Sequence, residues 1–329
     1  MKYRPSAEIG RFDEKGHWAP IEPIHYSPLF SWPIKPLAIL NSIFGWGGFI
    51  FPLNFLLVLI GFLTYYVFQP DFSRCQTFKF DWIALIFLRN LIYLWIVYGT
   101  FHFVLYIKKM HGSDRKYHPE WEPVNTKNFT FKRQVWDNIF WSNVSGLTVW
   151  TAYEVLYTWL AANGRLPMVS FKENPVWFIA LFFIVVLFRE VHFYLIHRLI
   201  HWGPLFRYIH SLHHRNHSVA PWSGMSMHPI EHLIYFSSVL IHFVLPSNPV
   251  HFFFHTAHLA LMPVNSHTGF EGPLFKGKLP VGSYSHYLHH KYVNCNFGGD
   301  FIPLDKWFGK FYDGTGKFKF TRKKALPKS

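Results

Sequence analysis

Two stretches, IHSLHHR at 209–215 and SHYLHHK at 285–291, carry the same His-x-x-His-His spacing. Imidazoles repeated at that spacing suit one chemistry above others, the binding of a transition metal. On a helix His210 shares a face with His213 and His214, three and four residues on, and His286, His289 and His290 repeat that geometry. Upstream, EVHFYLIHRLIHW (190–202) sets His197 and His201 four apart on one face, and NSHTGFEG supplies His267 with Glu271 one turn later. Glu190, two turns before His197, is placed to hold an imidazole through its second ring nitrogen. The 22 histidines are unevenly spread: His17, His25, His102, His111 and His118 precede residue 190, and all others lie between His192 and His290.

Nine histidines exceed the needs of one metal, since a structural zinc takes four ligands and a catalytic zinc three plus water. Two metals with four or five imidazoles each would use the whole set and leave positions open for oxygen. A single histidine in an apolar helix is ordinarily a hydrogen-bonded core residue, and His192, His242, His251, His255 and His258 keep that reading. Imidazole does not name the metal, but a site fed from a membrane and open to O₂ points to iron.

The elements around these residues are apolar. Of 329 residues 50% are hydrophobic, 21% aromatic and 15% charged, against about 25% charged in ordinary soluble proteins. Long runs, Ile50–Phe68, Trp82–Ile107, Ile139–Ala162 and Pro175–Leu187 with its continuation into the histidines, match a bilayer core of roughly 30 Å. Leu233–Val264 is broken at Pro246-Ser247-Asn248-Pro249, which fits a re-entrant or interfacial hairpin as well as two membrane helices. The expected fold is therefore all-α: an integral membrane protein with four transmembrane helices, a broken hairpin and a cytoplasmic, helical, histidine-rich cap. Its parts are a polar N-terminal arm (1–45), transmembrane helices one to three (46–170), a di-metal domain (171–315) and a basic tail (316–329).

The net charge of +14 resides in residues that flank apolar runs, which favours anionic lipid over nucleic acid as the partner. Basic residues crowd the N-terminal arm and the 108–133 loop, so the positive-inside rule puts both in the cytoplasm. Counting four crossings then brings both histidine clusters to that same face. Cys75 and Cys295 support neither a disulfide framework nor a cysteine zinc site, and the first forty residues show no cleavable signal peptide.

HRLIH, HSLHH, MHPIEH, HTGFEGP, HYLHH and LDKWFGKFYDG, in that order over about residues 175–315, resemble the fatty acid hydroxylase/sterol desaturase superfamily of membrane di-iron enzymes. The resemblance implies two iron ions, O₂ as co-substrate, and hydroxylation or desaturation of a lipid: a sterol, a fatty acyl chain or a sphingoid base. It assigns the metal-ligand role to His197, His201, His210, His213, His214, His267, His286, His289 and His290. His228, present in sterol-modifying branches, and Glu271, standing where some members have a histidine, are further candidate ligands; Glu190 holds the family's acidic position. MHPIEH and the single His267 lean toward sterol-type members. Electrons come in the family from cytochrome b5 or a ferredoxin-type partner with its reductase. This chain has no G-x-G-x-x-G or HPGG segment of its own, so its donor is expected to be a separate protein docking on the basic face. The membrane would be the endoplasmic reticulum in a eukaryote and the inner membrane in a bacterium.

Two other readings compete. His228-Pro-Ile-Glu-His232 has the inverted H-x-x-E-H form of a zinc metallopeptidase, with Glu231 as its base. A non-enzymatic, histidine-rich metal transporter would instead place ionisable groups deep within several membrane helices.

Overall fold

The computed structural model describes residues 6–316 and residue 318, so the basic tail lies almost wholly outside the described residues. Apolar runs fold as helices: α1 (Pro36–Phe44), α2 (Leu53–Phe68), α3 (Phe80–Ile107), α4 (residues 134–162) and α5 (Pro175–Ile200). The histidine region follows as α6 (residues 203–214), α7 (Pro229–Phe236), α8 (Pro249–Leu261) and α9 (Tyr284–Tyr292). Local signals set several of the starts. Asn174 caps α5 by accepting from the Trp177 amide at 3.0 Å, with Pro175 at the first position, where its missing N–H costs nothing. Asn248 and Pro249 repeat the device for α8.

α8 is the centre of the fold, and each of its thirteen residues is buried. Helix α2 approaches it closely at Gly61, where a Cβ would meet the Phe254 nitrogen at 2.9 Å and the Val250 oxygen at 3.0 Å. From α4, Tyr157 stacks on Phe252 with centroids 3.6 Å apart. The second half of segment 233–264 is accordingly walled by protein and faces no lipid. A tight 3₁₀ stretch, Ser237–Phe243, separates α7 from α8, and the other helices enclose α8. A continuous apolar run reads the same whether lipid or protein surrounds it, which is why the sequence left its surroundings open.

Two helices, α3 and α5, are long and apolar enough to cross a membrane, and only 28% of the most apolar window of each is buried. Such exposure does not suit the core of a soluble protein, and it offers hydrocarbon a broad surface. Helix α2 is shorter, and α4 does not meet the same length-and-composition test. Two of the charged exceptions in these helices satisfy each other. Arg89 of α3 pairs with Glu154 of α4, whose carboxylate also accepts from Asn90 (2.9 Å), Trp150 (2.8 Å) and Thr256 (2.6 Å).

The N-terminal arm contains a small antiparallel hairpin, Gly10–Phe12 against Trp18–Pro20, which an all-α expectation omitted. It carries Trp18 into a cluster with Tyr117, Val219, Tyr287 and Leu288, and so packs the arm against α9.

Candidate metal centre

The nine imidazoles converge, and they divide into two groups. His197, His201, His210, His214 and His289 form one; His213, His267, His286 and His290 form the other. Within each group the facing donor atoms all lie within 4.8 Å of one another. The groups adjoin, with the rings of His214 and His290 4.8 Å apart.

Helix geometry explains the division. Residues i and i+4 project from nearly one line on a helix, whereas i+3 is turned to its other side. Thus the pairs 197/201 and 210/214 face one centre and 286/290 the other. The i+3 member of each His-x-x-His-His crosses over: His213 leaves its own helix partners for the α9 pair, and His289 joins the α5 and α6 pairs. The repeated motif is an exchange of one ligand-type side chain in each direction. His267 enters the second group from the end of a short helical turn, Pro263–Ser266.

Backbone carbonyls and one carboxylate orient these rings. His197 Nδ1 donates to the Phe297 carbonyl (2.6 Å), His289 Nδ1 to that of Cys295 (2.7 Å), His213 Nδ1 to that of Ser226 (3.2 Å) and His267 Nδ1 to that of Pro263 (2.9 Å). His210 Nδ1 donates to Glu231 Oε1 at 2.7 Å. A ring that gives its Nδ1 proton to an acceptor presents a bare lone pair at Nε2. His197 and His210 do so toward each other, with their Nε2 atoms 3.2 Å apart. Two lone pairs at that separation repel unless a cation lies between them. His201 Nε2 is buried in the same group without a partner. Burial brings His213 down to about 4 and holds His210, His214, His267, His286, His289 and His290 well below the ordinary histidine range. The rings are therefore neutral at pH 7. Neutral, pre-oriented imidazoles with buried nitrogens lacking partners fit a transition metal in each group.

Three expected participants are elsewhere. Glu190 holds no histidine: its oxygens accept from the amides of Phe301 (3.1 Å) and Ile302 (3.2 Å), 111 and 112 residues away, and so fix the turn beside the site. Glu271 accepts from the Tyr117 hydroxyl at 2.7 Å and stands outside both groups, because the chain after His267 does not continue as a helix. His228 caps α7 by accepting from the Ile230 amide at 3.2 Å. The H-x-x-E-H pair also comes apart: His232 faces Ser145, 2.8 Å away, and Glu231 serves His210. Glu231 is the participant that the di-metal reading of the sequence missed, having given it a role only in the competing peptidase reading; it stands 21 positions from His210, too far for a local signal. Of the histidines expected in the core, His242 bonds His255 (3.1 Å), His251 the Phe178 carbonyl (2.8 Å) and His192 the Ser237 hydroxyl (3.1 Å).

A cavity of about 570 Å³ opens onto both groups, reaching His197 and His210 of one and His213, His267 and His286 of the other. Its walls include Trp46, Phe49 and Phe51 from the loop after α1, Val186 and Phe193 of α5, Tyr235 and Met262. The apolar part of the wall thus comes largely from the N-terminal region and α5, because most of α8 is spent on the core. The volume and apolar lining suit a lipid-sized ligand.

Residues 182–310 match the fatty acid hydroxylase family model. A Delta(7)-sterol-C5(6)-desaturase of Nicotiana tabacum is 29% identical over 49% of this chain and 59% of its own length. Methylsterol monooxygenase 1 of Gallus gallus is 26% identical over 45% and 51%, and a C-4 methylsterol oxidase of Schizosaccharomyces pombe 30% identical over 43% and 48%. The chain spans about half the length of these relatives. No solved structure matches it. The family model thus falls on the segment that bears every grouped histidine, and that segment is similar to the fatty acid hydroxylase/sterol desaturase superfamily.

Proposed function

We propose that this chain is a membrane-embedded oxidoreductase that uses O₂ to hydroxylate or desaturate a lipid, with an iron ion held by each histidine group. The observation that carries the reading is the meeting of two imidazole groups, five of their rings anchored, on one partly apolar cavity. Iron held there supplies the binding and reduction of O₂ and the attack on an unactivated C–H bond, chemistry that no side chain here offers. The chain's own residues do the rest. The carbonyls of Phe297, Cys295, Ser226 and Pro263 keep a proton on Nδ1 of four rings, so that Nε2 faces inward. Glu231 Oε1 does the same for His210. Phe49, Phe193 and Tyr235 exclude water and seat the lipid carbon against the two groups.

The printed names of the relatives favour a sterol-type lipid, with fatty acyl and sphingoid chains as the other members of the class. Helices α2 to α5 as four crossings, with the histidine groups on the cytoplasmic side, agree with the basic 108–133 loop. A separate acidic electron donor, of cytochrome b5 or ferredoxin type, would dock on that basic face. The test is expression of the chain in cells supplied with ¹⁸O₂, followed by lipid mass spectrometry. One lipid class gains a labelled oxygen atom or loses two hydrogens, and a His201→Ala chain abolishes the change. An unaltered lipid profile with folded, metal-loaded protein would refute the activity.

A further inference from the structure

One charge in the cavity has no use in that reading. Arg189 lies in the apolar stretch of α5, a helix long enough to cross a membrane, and its side chain lines the cavity. Among the described residues no carboxylate comes within ion-pair distance of it, and its buried Nε has no partner. The adjacent Glu190 is engaged by the Phe301 and Ile302 amides. Around Arg189 stand the Phe193 ring, 5.8 Å from the guanidinium carbon, and the Tyr235 hydroxyl, a neutral group that accepts a hydrogen bond from the guanidinium without cancelling its charge. His258, on α8, lines the same cavity within reach of the Arg189 charge, and its Nδ1 is likewise buried and unpartnered. The other charged exceptions in the apolar helices, Arg89 and Glu154, are paired.

A cation in an apolar wall is costly, and it persists where a ligand compensates it. Guanidinium matches an oxyanion through parallel N–H donors, and a nearby imidazole nitrogen can add a third. We propose that Arg189, assisted by His258, binds an anionic oxygen group of the lipid, a carboxylate or a phosphate, inside the cavity. This rests on the proposed function only in taking the cavity as the lipid's seat, and within that function it favours an anionic acyl or phosphate-bearing lipid over a sterol, whose polar end is a neutral hydroxyl. Position adds a second consequence. Arg189 precedes His197 by eight residues, about 12 Å of helix rise, and both side chains lean toward the helix N-terminus. The anionic end is therefore held several methylenes away from the carbon that meets the histidine groups, so oxidation falls in the body of the lipid.

The experiment uses the full chain in detergent micelles and follows the fluorescence of a conjugated polyene fatty acid, its methyl ester, and the phosphate monoester of the corresponding alcohol. Wild type should bind an anionic probe at least ten times more tightly than the ester, and the better of acid and phosphate identifies the headgroup. Arg189→Gln should bring the anionic probes to the level of the ester, whereas Arg189→Lys keeps part of the preference. Metal content, measured on every variant, should stay at the wild-type value and so shows that each has folded. Equal binding of acid, phosphate and ester by wild type overturns the inference, as does unchanged anion preference in Arg189→Gln. A preference for anions in a chain that holds no metal would leave the inference standing and sink the oxidase reading instead.

Discussion

Five of the nine imidazoles in the centre, His197, His210, His213, His267 and His289, have two jobs, one nitrogen facing inward and the other anchored. Glu231 is the only side-chain carboxylate among the anchors described for the nine rings, so its removal isolates the value of orientation. Glu231→Ala is expected to weaken metal binding about 10- to 100-fold, the usual cost of losing such a partner, with Glu231→Gln retaining part of it; competition with a chelator measures this. The crossing-over of His213 and His289 gives a sharper expectation. His213→Ala leaves three imidazoles in the second group and should lower metal content from two to about one per chain. His289→Ala leaves four in the first and should keep both metals. If the histidines of each motif served their own centre, His213→Ala would instead deplete the group around His210 and His214.

At the scale of elements, sequence and structure part company in an instructive way. That nine histidines gather was legible, because spacings of three and four on a helix fix a common side. Their division was not, because it depends on which helix stands opposite, and His289 meets rings 75 to 92 residues earlier in the chain. Glu190 was misjudged for the same reason: helical spacing shows its face, whereas its partners arrive from a turn over a hundred residues away. Segment 233–264 was read as membrane-associated because burial against protein and burial against lipid select the same residues. The enclosed α8 also ties the helices together through Glu154, which bonds Thr256 of α8 as well as Arg89. Arg89→Ala strands a buried carboxylate and should cost about 3–5 kcal/mol, visible as lost resistance to heating in detergent. Arg89→Met combined with Glu154→Leu removes both charges and should recover much of that loss. A double variant as fragile as the single one would contradict this account of the network.

The whole molecule is a helical body with its histidine groups bordering a cavity and broad apolar surfaces on α3 and α5. Alkaline carbonate should leave the chain in the membrane pellet, and release into the supernatant would argue against crossing by those helices. The family resemblance and the histidine pattern could be read from residues 175–315, and most of the apolar elements from the residues before them. The cavity could not, since its walls join the loop after α1 to α5, partners separated by well over a hundred residues. All of the chemistry depends on both histidine groups binding metal at once. The most direct test is therefore metal analysis of the purified full chain loaded with ferrous iron without oxygen, combined with X-ray absorption at the iron edge. The expected result is two irons per chain, each surrounded by nitrogen at imidazole distances. One iron or none in folded protein, or irons bound mainly by oxygen, would contradict it.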